Sequence, residues 1–254
     1  MTLLAAPAAR GRLAHHLVNL RQPDLVASVQ RRLQKDGLVV VDGLTTPRAV
    51  ASFADRFMRR SRVDEPHGLH EIRPTGRHHL RADSVDLTRA PMRLHTAGAR
   101  LKHPPRLLLV VCARPADTGG DTLLVDGQDL LSELARRRPG DLGPLTRRTT
   151  MRTAPRIYAP VFRLSPAGRC VLRLPSGRGV SWSPAARRRL LNLEVAVERT
   201  RRRLSLAPGQ GYLLDNWRWA HGRLTFAGER LLYRAEGDPT FRMPAGFPTW
   251  VEAT

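Results

Sequence analysis

The stretch Leu213–Arg234 reads LLDNWRWAHGRLTFAGERLLYR. Overlapping its start, LSLAPGQGYLLDN closes a loop at Pro208-Gly209 and runs into a short apolar strand. His221 follows that strand, Gly228 marks a turn, and ERLLYR predicts the next strand. At period 2 that strand carries Arg230, Leu232 and Arg234 on one face. Two guanidiniums beside a histidine call for an anionic partner if they are buried. If exposed, they are the solvated arginines of an edge strand. These residues alone leave both readings open.

Working outward, Pro91-Met92-Arg93-Leu94-His95-Thr96-Ala97 precedes an apolar strand, Leu107–Cys112, and then TGGDTLLVD, Thr118–Asp126. In order, H-T-x, a buried strand, GGDTLLVD, DN-x4-HGR and GERLLYR resemble the taurine dioxygenase and clavaminate synthase-like superfamily, over about residues 65 to 240. The resemblance implies a non-haem Fe(II)- and 2-oxoglutarate-dependent enzyme using O2. It implies an α+β fold, a double-stranded β-helix (jelly-roll, cupin-like) core with flanking α-helices. By the same resemblance His95 and His221 are metal ligands, while Thr122 and Arg230 hold 2-oxoglutarate. Arg234 is implied to face the substrate, with Arg73 a further candidate in the region that lies over the site.

The resemblance breaks at one position. Iron(II) in such sites is held by two histidines and a carboxylate on one face, and the carboxylate is expected two residues after the first histidine. That residue is Ala97, and its neighbours Thr96 and Gly98 cannot replace it. Three readings compete. In a halogenase branch of the superfamily Gly or Ala stands here, and chloride fits both the opened space and the lost negative charge. A hydroxylase would fill the position with water or another residue. A metal-free binding pseudoenzyme would have lost the metal altogether. Retention of His95, His221, Thr122 and Arg230 favours the halogenase, acting on an unactivated sp3 carbon, with the pseudoenzyme last.

At 254 residues the chain is expected to form a single domain, 1–254, with a loose tail over 1–20. No apolar run reaches eighteen residues, which argues against a membrane span. The Ala- and Arg-rich start lacks the order of a secretory signal. Two cysteines, Cys112 and Cys170, are too few for a disulfide framework, so a reducing cytoplasm is expected. The formal net charge is +21, yet lysine occurs only at Lys35 and Lys102. Such an arginine skew is what a GC-rich coding bias produces. The runs at Arg136–Arg138, Arg187–Arg189 and Arg201–Arg203 lie in different segments and are not interleaved with aromatics, so nucleic acid is not the leading partner. A small anionic substrate is expected instead, gathered by Arg73, Arg93, Arg218 and Arg234. A nucleotide is favoured, with a free or carrier-bound amino acid next. Nothing in the pattern sets an oligomeric state.

Helices are expected over 23–35, from Thr46-Pro47 to about Arg59, over 128–138 with a stop at Pro139-Gly140, and from Ala185 to about Arg203. Strands are expected at Leu38–Val41 and Leu69–Arg73, and a hairpin about Ser165–Gly168. His67, His70, His78 and His79 have no ligand spacing and read as a solvated loop.

Overall fold

Leu107–Arg114 sorts its side chains alternately to two cores, and the architecture follows from that alternation. Leu107, Leu109 and Val111 join one apolar cluster, and Leu108, Val110 and Cys112 another. Val39 and Val41 against Leu38 and Val40, and Leu213 against Tyr212 and Leu214, divide the same way. These strands are therefore buried on both faces, which is why they read as continuous apolar runs.

The structure, a computed structural model, describes residues 13–61, 65–74, 88–153, 156–177 and 179–249. Its main strands are β1 (Leu17–Val18), β2 (Leu38–Val41), β3 (Met58–Arg60), β4 (His70–Ile72), β5 (Met92–His95), β6 (Leu107–Arg114), β7 (Thr122–Asp126), β8 (Arg202–Leu204), β9 (Gly211–Asp215), β10 (Trp219–Arg223) and β11 (Leu231–Pro239). One sheet has the order β1-β2-β9-β6-β11-β3, with β4 also on β11; the second has the order β8-β7-β10-β5. The cluster that includes Leu38, Val110, Leu124, Leu214 and Trp219 lies between them. Helices α1 (Leu25–Lys35) and α2 (Pro47–Asp55) cover the outer face of the first sheet. Helices α3 (Gly127–Arg137), α4 (Pro139–Thr146) and α6 (Leu190–Thr200) cover that of the second, α5 (Pro184–Arg187) leading into α6. This is the expected α+β architecture, a double-stranded β-helix with flanking helices.

Several elements differ from expectation, each for a packing reason. Helix α2 starts as expected, the Thr46 hydroxyl accepting the Ala49 N–H at 3.1 Å, but ends at Asp55. Phe57 then turns into the core and Met58–Arg60 pair with Gly237–Pro239. Pro139 does not simply stop α3; it opens α4, where a missing N–H costs nothing. The helix expected to reach Arg203 breaks after Arg187, resumes at Leu190 and ends at Thr200. Arg202–Leu204 pair with Thr122–Leu124 instead. Burying Leu204 is worth roughly 1.5–3 kcal/mol, more than the ~0.7 kcal/mol at stake in helix propensity. His221 follows β9 as expected, and it lies within a strand of its own, β10.

Residues 13–20, expected in a loose tail, are built in: β1 pairs in parallel with β2, and Leu13 and Val18 are buried. The rest of that tail, 1–12, lies outside the described residues, as do His78 and His79. The hairpin forms, with Phe162–Leu164 antiparallel to Arg169–Leu172. Among the described residues no helix is long and apolar enough to cross a membrane.

Candidate active site

Strands β5 and β10 run antiparallel and place His95 opposite His221, ring centroids 4.4 Å apart. The pairing shifts register between His221 and Arg223. That bulge brings the backbone of β5 against Gly222, where a Cβ would stand 2.7 Å from the Met92 carbonyl and 3.0 Å from the Leu94 nitrogen. Only glycine allows the two histidine strands this approach.

The two imidazoles are set up differently. His95 Nδ1 lies 3.0 Å from the Arg93 carbonyl, which can only accept, so Nδ1 carries a proton and Nε2 is the nitrogen left to meet a metal. His221 is buried, and its Nδ1 has no hydrogen-bond partner among the described residues. Burial, then His95, then Arg234 hold its pKa well below 6.5, so the ring is neutral. Facing imidazoles, one of them with an orphaned buried nitrogen, are a donor pair that fits a divalent transition metal. Among the described residues no third His, Cys, Asp or Glu completes a cluster. Ala97 is 1% exposed and packs in the core between the sheets.

A side chain not anticipated from sequence holds Ala97. Asn216, just beyond β9, accepts the Ala97 N–H at 2.6 Å and donates to the Ala97 carbonyl at 2.9 Å and the Pro105 carbonyl at 2.8 Å. Beside it Asp215 takes a bidentate pair from Arg106, at 3.1 and 3.0 Å, and Arg106 stacks on Trp217.

A cavity of about 390 Å³ opens beside His221. Thr122 and Arg230 line it, as do Tyr212, Ile72, Leu232 and Arg234, so Arg230, Leu232 and Arg234 do share one face. Arg230 is 6% exposed, donates to the Gly120 carbonyl at 3.3 Å and lies over the Phe226 ring. It also faces Cys112, whose thiol burial pushes up to about 11 against the pull of the guanidinium. That cysteine is an inert core residue. Arg234 is ion-paired to Glu236 at 2.6 Å.

The other arginines expected to gather substrate are not brought together. Ile72 lines the cavity, so Arg73, one residue on, points out and pairs with Glu71. Arg93 is exposed beside Glu194. Arg218 braces the sheet with a bidentate contact to Asp126, at 2.9 and 2.8 Å. Tyr212 was legible in principle: with Leu213 facing outward, alternation aims its neighbour inward. Asn216 belongs to the DN-x4-HGR motif, but it and Arg106 act across more than a hundred residues, and no local signal shows what they hold.

The profile of the family described as "Taurine catabolism dioxygenase TauD, TfdA family" matches residues 5–235. The chain belongs to that family. Membership makes it an Fe(II)/2-oxoglutarate-dependent dioxygenase-superfamily enzyme. No curated protein matches the sequence at a significant level. Among solved structures, asparagine oxygenase in complex with Fe(II), hydroxyasparagine and succinate is similar, at 18% identity and TM-score 0.67, covering 84% of this chain and 78% of that one. The non-haem iron oxygenase OrfP with iron and alpha-ketoglutaric acid matches at 18% identity and TM-score 0.67, covering 85% and 80%. A mutant of OrfP holds hydroxy-L-arginine, at 18% identity and TM-score 0.65, covering 85% and 83%. At these identities the likeness is one of fold. For a TauD/TfdA family member, the paired histidines and the Thr122–Arg230 end of the cavity are residues that suit the iron and the oxoacid.

Proposed function

We propose that this TauD/TfdA family member is an Fe(II)- and 2-oxoglutarate-dependent halogenase that places chloride on an unactivated sp3 carbon of a small amino acid. One observation carries the reading. At the position of the third metal ligand stands a buried alanine whose backbone is held from both sides. The facing histidines and the cavity lined by Thr122 and Arg230 support the same reading.

Bound iron with 2-oxoglutarate and O2 supplies the oxidising power to take a hydrogen atom from a carbon. The chain's own residues do the remaining work. His95 and His221 hold the metal as neutral donors. Arg230 and Thr122 bind the oxoacid, the guanidinium gripping its far carboxylate. Ala97 offers room and no charge on the third side, so a halide meets no competing carboxylate. Arg234, close enough to depress the His221 pKa, adds positive potential there. Ile72 and Leu232 exclude water from the wall of the cavity.

An amino acid now stands ahead of the nucleotide favoured from sequence. Thr122 and Arg230, the residues suited to the co-substrate, line the same cavity as Arg234, so substrate and oxoacid must share it. Arg234, which lines the cavity, already has a carboxylate partner in Glu236, which leaves it less positive charge to offer a dianionic phosphate. Asparagine oxygenase and the OrfP complex, whose ligands are hydroxylated amino acids, point the same way. Those proteins are oxygenases, which keeps hydroxylation with an incomplete ligand set as the second reading.

The test is anaerobic loading with iron(II), 2-oxoglutarate and graded chloride, then O2 and mass spectrometry against an amino-acid and nucleotide panel. Chlorinated product that rises with chloride, and that Ala97→Asp abolishes, is expected. Product carrying only oxygen, formed at the same rate without halide, would establish the hydroxylase.

A further inference from the structure

We infer that Asn216 is the positioning residue of the third ligand site: its single carboxamide holds both peptide groups of residue 97 and so fixes the direction of the Cα–Cβ bond there. The inference rests on the proposed function for what fills the site, but not for the clamp itself.

The geometry is specific. Oδ1 accepts the Ala97 N–H at 2.6 Å, and Nδ2 donates to the Ala97 carbonyl at 2.9 Å. The partners are a donor on one side and carbonyls on the other, so the amide has only one satisfactory orientation. With the N–H and C=O of one residue held by one rigid group, neither flanking peptide plane can rotate alone. Nδ2 also reaches the Pro105 carbonyl at 2.8 Å, which ties the entry to β6 into the same knot. Asn216 is itself 1% exposed, and its own N–H donates to the Arg106 carbonyl at 2.8 Å. Thr96, by contrast, is held separately, its N–H donating to the Leu174 carbonyl at 2.8 Å. The residue before position 97 is thus anchored to one segment, and position 97 to another. Losing the carboxamide leaves three buried backbone groups unpaired, and the loop must shift to satisfy them.

A purely structural asparagine would lower stability without changing what residue 97 can reach. The experiment separates the two by iron affinity, with no turnover. Iron(II) is titrated anaerobically in the presence of 2-oxoglutarate and followed by visible charge-transfer absorption. The proteins are the wild type, Ala97→Asp, Asn216→Ala and the double variant. Ala97→Asp should tighten iron binding by ~10-fold or more, and that gain should vanish without Asn216, on the ~10–100-fold scale of outer-shell partners. A gain of equal size with and without Asn216 would overturn the inference. So would no gain even with Asn216 present, because position 97 then does not face the metal. Thr150→Ala, which removes a buried hydroxyl bonded to the Pro144 carbonyl far from the site, is the stability control and should leave the gain intact. If Asn216→Ala does not fold, Asn216→Ser carries the same comparison with a smaller packing defect. A chloride titration of the wild-type absorption is run beside these. A wild type indifferent to chloride removes the halogenase reading, while the iron comparison still decides the clamp.

Discussion

Arg230 sits where a guanidinium counts most, 6% exposed at the end of the cavity with Thr122 beside it. A buried charge-assisted contact contributes ~1.5–3 kcal/mol, roughly 10- to 100-fold in affinity. Arg230→Ala should therefore raise the 2-oxoglutarate dissociation constant by about that factor while iron affinity changes little, both read from anaerobic absorption titrations. An unchanged 2-oxoglutarate affinity would show that the co-substrate binds elsewhere. At the same scale the arginines sort by what they touch: Arg218 and Arg106 find buried carboxylates, whereas Arg73 and Arg93 pair at the surface. Surface pairs of this kind contribute ~0–1 kcal/mol, so their substitution should leave both affinities alone.

At the scale of elements, the β5–β10 bulge is what brings the two histidines together. Gly222→Ala puts a methyl group against backbone atoms that cannot swing aside. A cost of ~1–3 kcal/mol is expected from such overpacking, with weaker iron binding because His95 and His221 are pushed apart. A variant with wild-type iron affinity would mean the bulge is not needed for the metal pair. The N-terminal element makes a second prediction. His16, docked beside Trp219, has its pKa lowered to about 3 by burial, by His15 and by the Arg202 guanidinium. The unfolded chain protonates this ring near 6.5 and the folded one near 3, so the unfolded state binds more protons between those values. Stability should fall as pH drops from about 6.5 toward 3, with His221, also depressed, acting in the same direction. His16→Gln should make the melting temperature less dependent on pH across that window. An unaltered pH profile would show that the ring is not buried in solution.

For the whole molecule the excess charge dominates. The formal net charge is +21, and no Asp or Glu occurs between Asp141 and Glu194. On the helical layer Arg136 and Arg137, from one of the arginine runs, meet Arg199 at the one carboxylate of Glu133. Like charges at this density oppose the compact state. Raising NaCl from ~0.01 M to ~0.1 M shortens the screening length from ~30 Å to ~10 Å, so the melting temperature should rise. A melting temperature that falls with salt would mean that attractive pairs outweigh the repulsion.

The sequence alone determined the fold and singled out the histidines that come to face each other, His95 and His221, because both are written in local patterns. Period-2 alternation marks the strands, and HTA, GGDT, HGR and ERLLYR occur in an order that belongs to one architecture. It also exposed the alanine where a carboxylate is expected. Tertiary structure decided the rest. Helix ends moved wherever a buried Phe57 or Leu204 outweighed propensity. Arg73 was placed outside the cavity by the facing of Ile72, and Arg234, which lines it, was paired with Glu236. Asn216 stands in the DN-x4-HGR motif, but what it holds could not be read, since its partners at Ala97 and Pro105 lie more than a hundred residues away. A side chain's worth in such contacts depends on which backbone groups folding buries against it, and a linear pattern carries no record of that.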